Sequence, residues 1–303
     1  MAVRASFSTE HISYLQRDFL GPQVAGDSSV LFAGIRNYDD VRLLHVEGLS
    51  RFWLGSEQKA LATRQLMADL FAGLHAERIP TVFMVLGTLN GINIFIGSYR
   101  DNESWTWALS RASVEGDLHT IEGSLNSAFP GILLRQCSSI EWNDIYSVIR
   151  SAPGCSLIAG TPTAKLGTEH LGVEQIERLV RGMYGRHWGY IVIAKPYPAQ
   201  SAVKLYNEGL NELREVANAQ ISAGASPIAD AYAELVKRYL ARHALGKTTG
   251  VWRVTAYCFG ADPLSYGRVR AITQAVFGGE DSLPDPLRLV DCLGYAREVA
   301  HLG

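Results

Sequence analysis

TVFMVLGTLNGINIFIGSY, residues 81–99, carries the clearest local signal in the chain. Two β-rich runs, 81–87 and 92–99, flank Thr88-Leu89-Asn90-Gly91. An Asn-Gly step between two such runs predicts a β-hairpin, because both residues tolerate positive φ. Val114–Phe129 then places Leu118, Ile121, Leu125 and Phe129 on one helical face, and Pro130-Gly131 stops it. Ile132–Gln136 is strand-like. The order from 81 to 136 is therefore β-β-α-β, much of a split β-α-β, ferredoxin-like unit.

Toward the N-terminus, a turn is expected at Leu20-Gly21-Pro22, and Ser29–Ile35 and Val41–Val46 alternate enough to be short strands. Between Gly55 and Glu77 the period becomes helical through Met67, Leu70, Phe71 and Leu74, and Ile79-Pro80 closes it. Toward the C-terminus a second round begins. Cys155–Ala159 is a strand, Gly172–Gly185 a helix and His187–Ala194 a strand. Ala199–Gln220 carries Val203, Tyr206, Leu210, Leu213 and Ala217 in a 3-4 repeat, and Pro227–Leu245 is its helical mate. Gly250–Phe259 is a strand, Pro263–Phe277 a helix and Gly278–Pro286 a loop. The expected fold class is α+β, two ferredoxin-like split β-α-β units in series, the second with an inserted helical hairpin. The expected division is an N-terminal strand and helix segment at 1–79, a first unit at 80–150 and a second at 151–303.

Composition limits the classes of function. Of 303 residues, 47% are hydrophobic and 19% charged, which suffices for a sizeable core. A net charge of −2 argues against a domain that wraps nucleic acid by charge alone. Cys137, Cys155, Cys258 and Cys292 form no C-x-x-C pair and read as thiols of a reducing compartment. The start Met1-Ala2-Val3-Arg4 has no apolar signal segment, and no apolar run reaches the length of a membrane span. The expected location is cytoplasmic.

Several fragments carry candidate chemistry. Gly246-Lys247-Thr248 matches the end of a Walker A loop, but that loop needs a glycine at position 241, where Ala241 sits inside a helix. Gly246 reads instead as the C′ residue of that helix. Gly160-Thr161-Pro162-Thr163-Ala164-Lys165 offers amides, hydroxyls and a lysine to an anion, yet Pro162 removes one donor and a turn is favoured. Gly160, Thr161, Lys165 and Lys247 are the candidate cofactor-binding residues if the chain binds a small molecule or nucleotide. Trp105, Trp107 and Arg100 are the candidate stacking platform if it binds single-stranded nucleic acid, although core or a protein interface is favoured. Phe52-Trp53-Leu54 reads the same way. None of the eight histidines has zinc-site spacing, and His187 beside Trp188 reads as structural. Glu141-Trp142-Asn143-Asp144 reads as a solvated loop. No G-x-S-x-G elbow is present, since Gly123-Ser124 fails at the spacing. No catalytic or metal residue is assigned.

The order of these pieces resembles the amino-terminal, non-motor region of HerA/VirB4-like translocase ATPases of the FtsK–HerA superfamily. The resemblance lies in the hairpin Val82–Val85 and Ile94–Gly97, the helix leading to Phe129-Pro130-Gly131, and Leu157–Pro162. It continues through Ile176–Met183, Trp188–Ala194, Gly250-Val251-Trp252 and Ser282–Pro286, about two-thirds of the chain. It implies a non-catalytic assembly or partner-docking module, with a homo-oligomer or a separate P-loop motor as partner. ATP and magnesium are implied only for that motor. A nuclease or other effector is a further implied partner, and nucleic acid is reached only through the assembly.

Overall fold

The computed structural model describes residues 40–50, 57–100, 114–163, 175–224, 226–279, 282 and 286–292. The first half runs β1 (Val41–Gly48), α1 (Glu57–Ala76), β2 (Thr81–Gly87), β3 (Ile92–Tyr99), α2 (Val114–Ala128) and β4 (Leu133–Gln136). After a connecting helix α3 (Ser139–Ser151), the second half runs β5 (Gly154–Ala159), α4 (Gln175–Gly182), β6 (Trp188–Pro196), α5 (Ala199–Ala223) and α6 (Pro227–Thr249). It ends with β7 (Trp252–Gly260), α7 (Pro263–Phe277) and β8 (Arg288–Asp291). The strands lie in one sheet in the order β4-β1-β3-β2-β6-β7-β5-β8, with every neighbour antiparallel.

Each half is a complete β-α-β-β-α-β unit with the same internal strand order, and α5–α6 is inserted in the central hairpin of the second. The halves join where β2 pairs β6, from Thr81↔Ala194 to Gly87↔Trp188. That pairing turns two sheet edges into interior strands, and it explains the nearly unbroken apolar run of 81–87. Val85 belongs to the core under the helices, while Val82, Met84 and Leu86 belong to the core on the opposite face. A strand buried on both sides needs no polar alternation.

The helix face carries two cores. α1 and α2 cover the first through Leu70, Leu74, Leu118, Ile121 and Leu125, while Leu179 of α4, Met183 just after it and Val269 of α7 cover the second. On the opposite face Trp142, Ile145 and Ile149 of α3 cap a core that includes Met84, Phe95, Ile191, Tyr257 and Phe259. The expected solvated loop at Glu141–Asp144 is thus a helix. Ser138 accepts from the Glu141 backbone N–H while the Glu141 side chain accepts from the Ser138 N–H, a reciprocal cap that starts α3. Trp142 is 3% exposed.

Other expectations change in detail. β1 lies between β4 and β3, so the strand and helix assigned to a separate 1–79 segment complete the first unit. β8 adds a last strand to the second unit, beyond the loop expected at Gly278–Pro286. The hairpin at 88–91 forms without positive φ at Asn90 or Gly91. Thr88 closes it instead, its N–H donating to Gly91 O at 2.8 Å while its hydroxyl accepts from the Asn90 N–H at 3.3 Å. The helix expected to stop at Leu245 continues to Thr249, so Gly246 is helical and Gly250, at φ +87°, takes the end. In α5 Gly209 and Val216 are buried, while Val203 and Leu210 of the expected packing face are exposed. The strand expected at Ser29–Ile35, the turn at 20–22 and Phe52-Trp53-Leu54 lie outside the described residues.

Candidate functional site

The feature that the double unit does not require is the helical hairpin, and its base is built with care. α1 places His75 against the chain entering and leaving the hairpin. Its Nε2 lies 2.9 Å from Val251 O and 3.2 Å from Tyr197 O. Both partners are carbonyls, so Nε2 carries the proton and donates to them. Gly250 fits here for two reasons: its φ is +87°, and a Cβ would lie 2.2 Å from the His75 ring. Trp252 packs edge-on against His75 and Phe71, with ring centroids 5.5 and 6.0 Å away. Gly246 allows α6 to pass Val251, whose Cγ2 would be 2.5 Å from an added Cβ. One step further out, the helices approach closely where Gly209 faces Leu240.

Beyond this base the hairpin has a core of its own, made of Val216, Ala229 and Ala233 with Leu213 and Tyr232 beside them. That is a thin core for two helices, since alanine buries little surface. Polar links hold the pair together. Gln220 donates to Asp230 at 2.7 Å, and the Tyr232 hydroxyl donates to Glu212. Near the tip Ile221 and Ile228 are 84% and 80% exposed, and Leu245 on α6 is 70% exposed. A groove of about 510 Å³ runs between the helices, lined by Leu213, Ala217, Gln220, Ala231 and Glu234 among others.

Among the described residues two titratable clusters lie elsewhere, and both read as structural. Arg135 donates to Glu47 at 2.6 Å, to both Glu141 oxygens at 2.9 Å, and to His45 Nδ1 at 3.0 Å. The Arg135 hydrogen bonds hold the Glu141 carboxyl below its usual range, and the cluster ties β1 and β4 to the start of α3. In the second unit the Tyr266 hydroxyl donates to Asp291 and lies 2.7 Å from Ser156 Oγ. Burial, then the Asp291 hydrogen bond, pushes the Tyr266 hydroxyl up, so it stays protonated and acts as a strut between α7, β5 and β8. Burial likewise pushes Cys137 and Cys258 up to about 12, far from a reactive thiolate.

The sequence candidates are dispersed. Gly160 has φ +91°, and the loop it opens is engaged in packing. Thr163 N–H donates to Phe277 O at 2.7 Å, Thr163 Oγ1 lies 2.8 Å from Ser282 Oγ, and Gln175 donates to Thr163 O at 2.8 Å. Thr161 is half-buried in that loop, and Lys165 lies outside the described residues. Lys247, on a different element, rests its Nζ 3.4 Å from the centroid of the Tyr206 ring. Arg100 pairs with Asp40 at 3.4 Å, while Trp105 and Trp107 lie outside the described residues. Among the described residues no group of three or more His, Cys, Asp or Glu gathers as a metal site. No helix among them is long and apolar enough to cross a membrane.

No family model matches the chain, and no curated protein does. Among solved structures it is similar to a point variant of the chlorite dismutase of Candidatus Nitrospira defluvii, at 9% identity and a TM-score of 0.23. That alignment covers 91% of this chain and 99% of that chain. The same protein in complex with imidazole aligns at 7% identity, with a TM-score of 0.23 and the same coverage. At that level of superposition the likeness transfers no activity.

Proposed function

We propose that the chain is a non-catalytic assembly and partner-docking module of a HerA/VirB4-like, hexameric ATP-dependent translocase, acting with a P-loop motor that supplies ATP and magnesium chemistry. The observation that carries the reading is the inserted hairpin. Two long helices leave the middle of the sheet, are pinned at their base by His75, and expose isoleucines at the tip. Exposed large apolar side chains on a projecting element favour contact with another protein. The landmark order from the hairpin at 81–99 to Ser282–Pro286 supports the choice of family. Cytoplasmic location follows from the same reading.

The test is to mix the chain with the P-loop motor encoded in the same frame or beside it. Binding, and a change in that motor's ATP hydrolysis, are expected to be lost with Ile221→Glu/Ile228→Glu while thermal stability is retained. Absence of any such motor gene, or a motor whose ATPase ignores the chain, counts against the reading.

A further inference from the structure

We infer that α6 carries a self-complementary face through which two copies of the chain pair antiparallel about a two-fold axis passing between Glu234 and Arg238. This rests on reading the hairpin as an assembly element, and names its partner. Asp230, Glu234, Arg238 and Arg242 follow one another at i, i+4 spacing and form a single ridge along α6. The first three are exposed and Arg242 is partly so. The ridge is acidic toward the tip and basic toward the base.

The order of charges decides the occupant. Turning a second copy end over end sets Asp230 opposite Arg242 of that copy and Glu234 opposite its Arg238, and the two-fold repeats both pairs. Ala231 meets Ala241 in the same register, and Leu245 comes over Pro227, so small and apolar residues match as the charges do. Parallel pairing would put like charge on like charge. A partner of one sign, such as nucleic acid, would find only half of the ridge favourable.

Space and area agree with this occupant. The groove between α5 and α6 runs beside the acidic half of the ridge, where the aliphatic stems of the second copy's arginines can lie. α5 and α6, of 25 and 23 residues, are about 37 and 35 Å long. Two such helices side by side offer a face of roughly 700 Å², close to the ~800 Å² per partner of a stable complex. Among the bonds on the ridge, Lys237 to Glu234 and Gln220 to Asp230, both 2.7 Å, are exposed and weak enough to be exchanged. A contact of this kind closes at two copies, so it joins pairs of subunits or of rings and does not itself build a ring.

Sedimentation velocity on the whole chain, at low and high salt, tests the pairing. Twice the monomer mass is expected at about 100 μM protein, with weaker association at high salt. Glu234→Arg is expected to raise the dissociation constant at least about tenfold, and Glu234→Arg/Arg238→Glu to restore it within about threefold, with unchanged far-ultraviolet dichroism. A monomer at that concentration in low salt overturns the inference, as does a dimer indifferent to the single reversal, or one that the double reversal fails to restore. A monomer still retained by a motor overturns the pairing and leaves the assembly reading standing.

Discussion

Gly250 shows how a single residue sets the place of the hairpin. Its positive φ and the His75 ring against it leave no room for a side chain. Gly250→Ala is expected to lower stability by at least about 1 kcal/mol, read as a lower urea midpoint, because an L-residue there is strained even before the contact. The sequence shows a glycine followed by Val251-Trp252, and from it a strand could be expected. It does not show that the glycine faces a histidine 175 positions earlier, which is a tertiary fact. The reverse holds for Thr88–Gly91. There the sequence signal was the Asn-Gly step, and the turn formed through Thr88 at negative φ instead. Four residues between the strands relieve the demand that a two-residue loop would make.

At the scale of elements, α3 is legible in the sequence, although Glu141-Trp142-Asn143-Asp144 by itself reads as a solvated loop. Ser138 with Glu141 three places on is a capping box, and Trp142, Ile145 and Ile149 follow at helical spacing. The apolar period, and not the pair of carboxylates, decides this element. Ser138→Ala is expected to cost about 1 kcal/mol, measured by chemical denaturation, since the cap holds a helix that covers one face of the sheet. The ridge of α6 is also plain in the sequence, as two acids and then two bases at every fourth residue. Its meaning needed the structure, because only burial shows that this side of α6 faces solvent while Val236 and Leu240 face inward.

At the scale of the whole molecule, the pairing of β2 with β6 makes the two units one sheet. Neither unit keeps its native edge when separated, so urea unfolding followed by tryptophan fluorescence and by far-ultraviolet dichroism is expected to give one coincident transition. Two separated transitions would mean that the halves are independent domains. The class of the fold is legible in the amino-acid order alone: period 2 against period 3.6, Pro-Gly stops, and a repeated order of strands and helices are local, and they survive in the folded chain. The sequence also supplied the candidate residues, and the structure disperses them, with Gly160 and Thr161 in a packing loop and Lys247 on Tyr206. Long-range packing sets where the units join, that β1 belongs to the first sheet, and which side of the hairpin is left uncovered. Each of these is a contact between residues far apart in sequence, and the free energy of such a contact depends on what the rest of the chain leaves exposed.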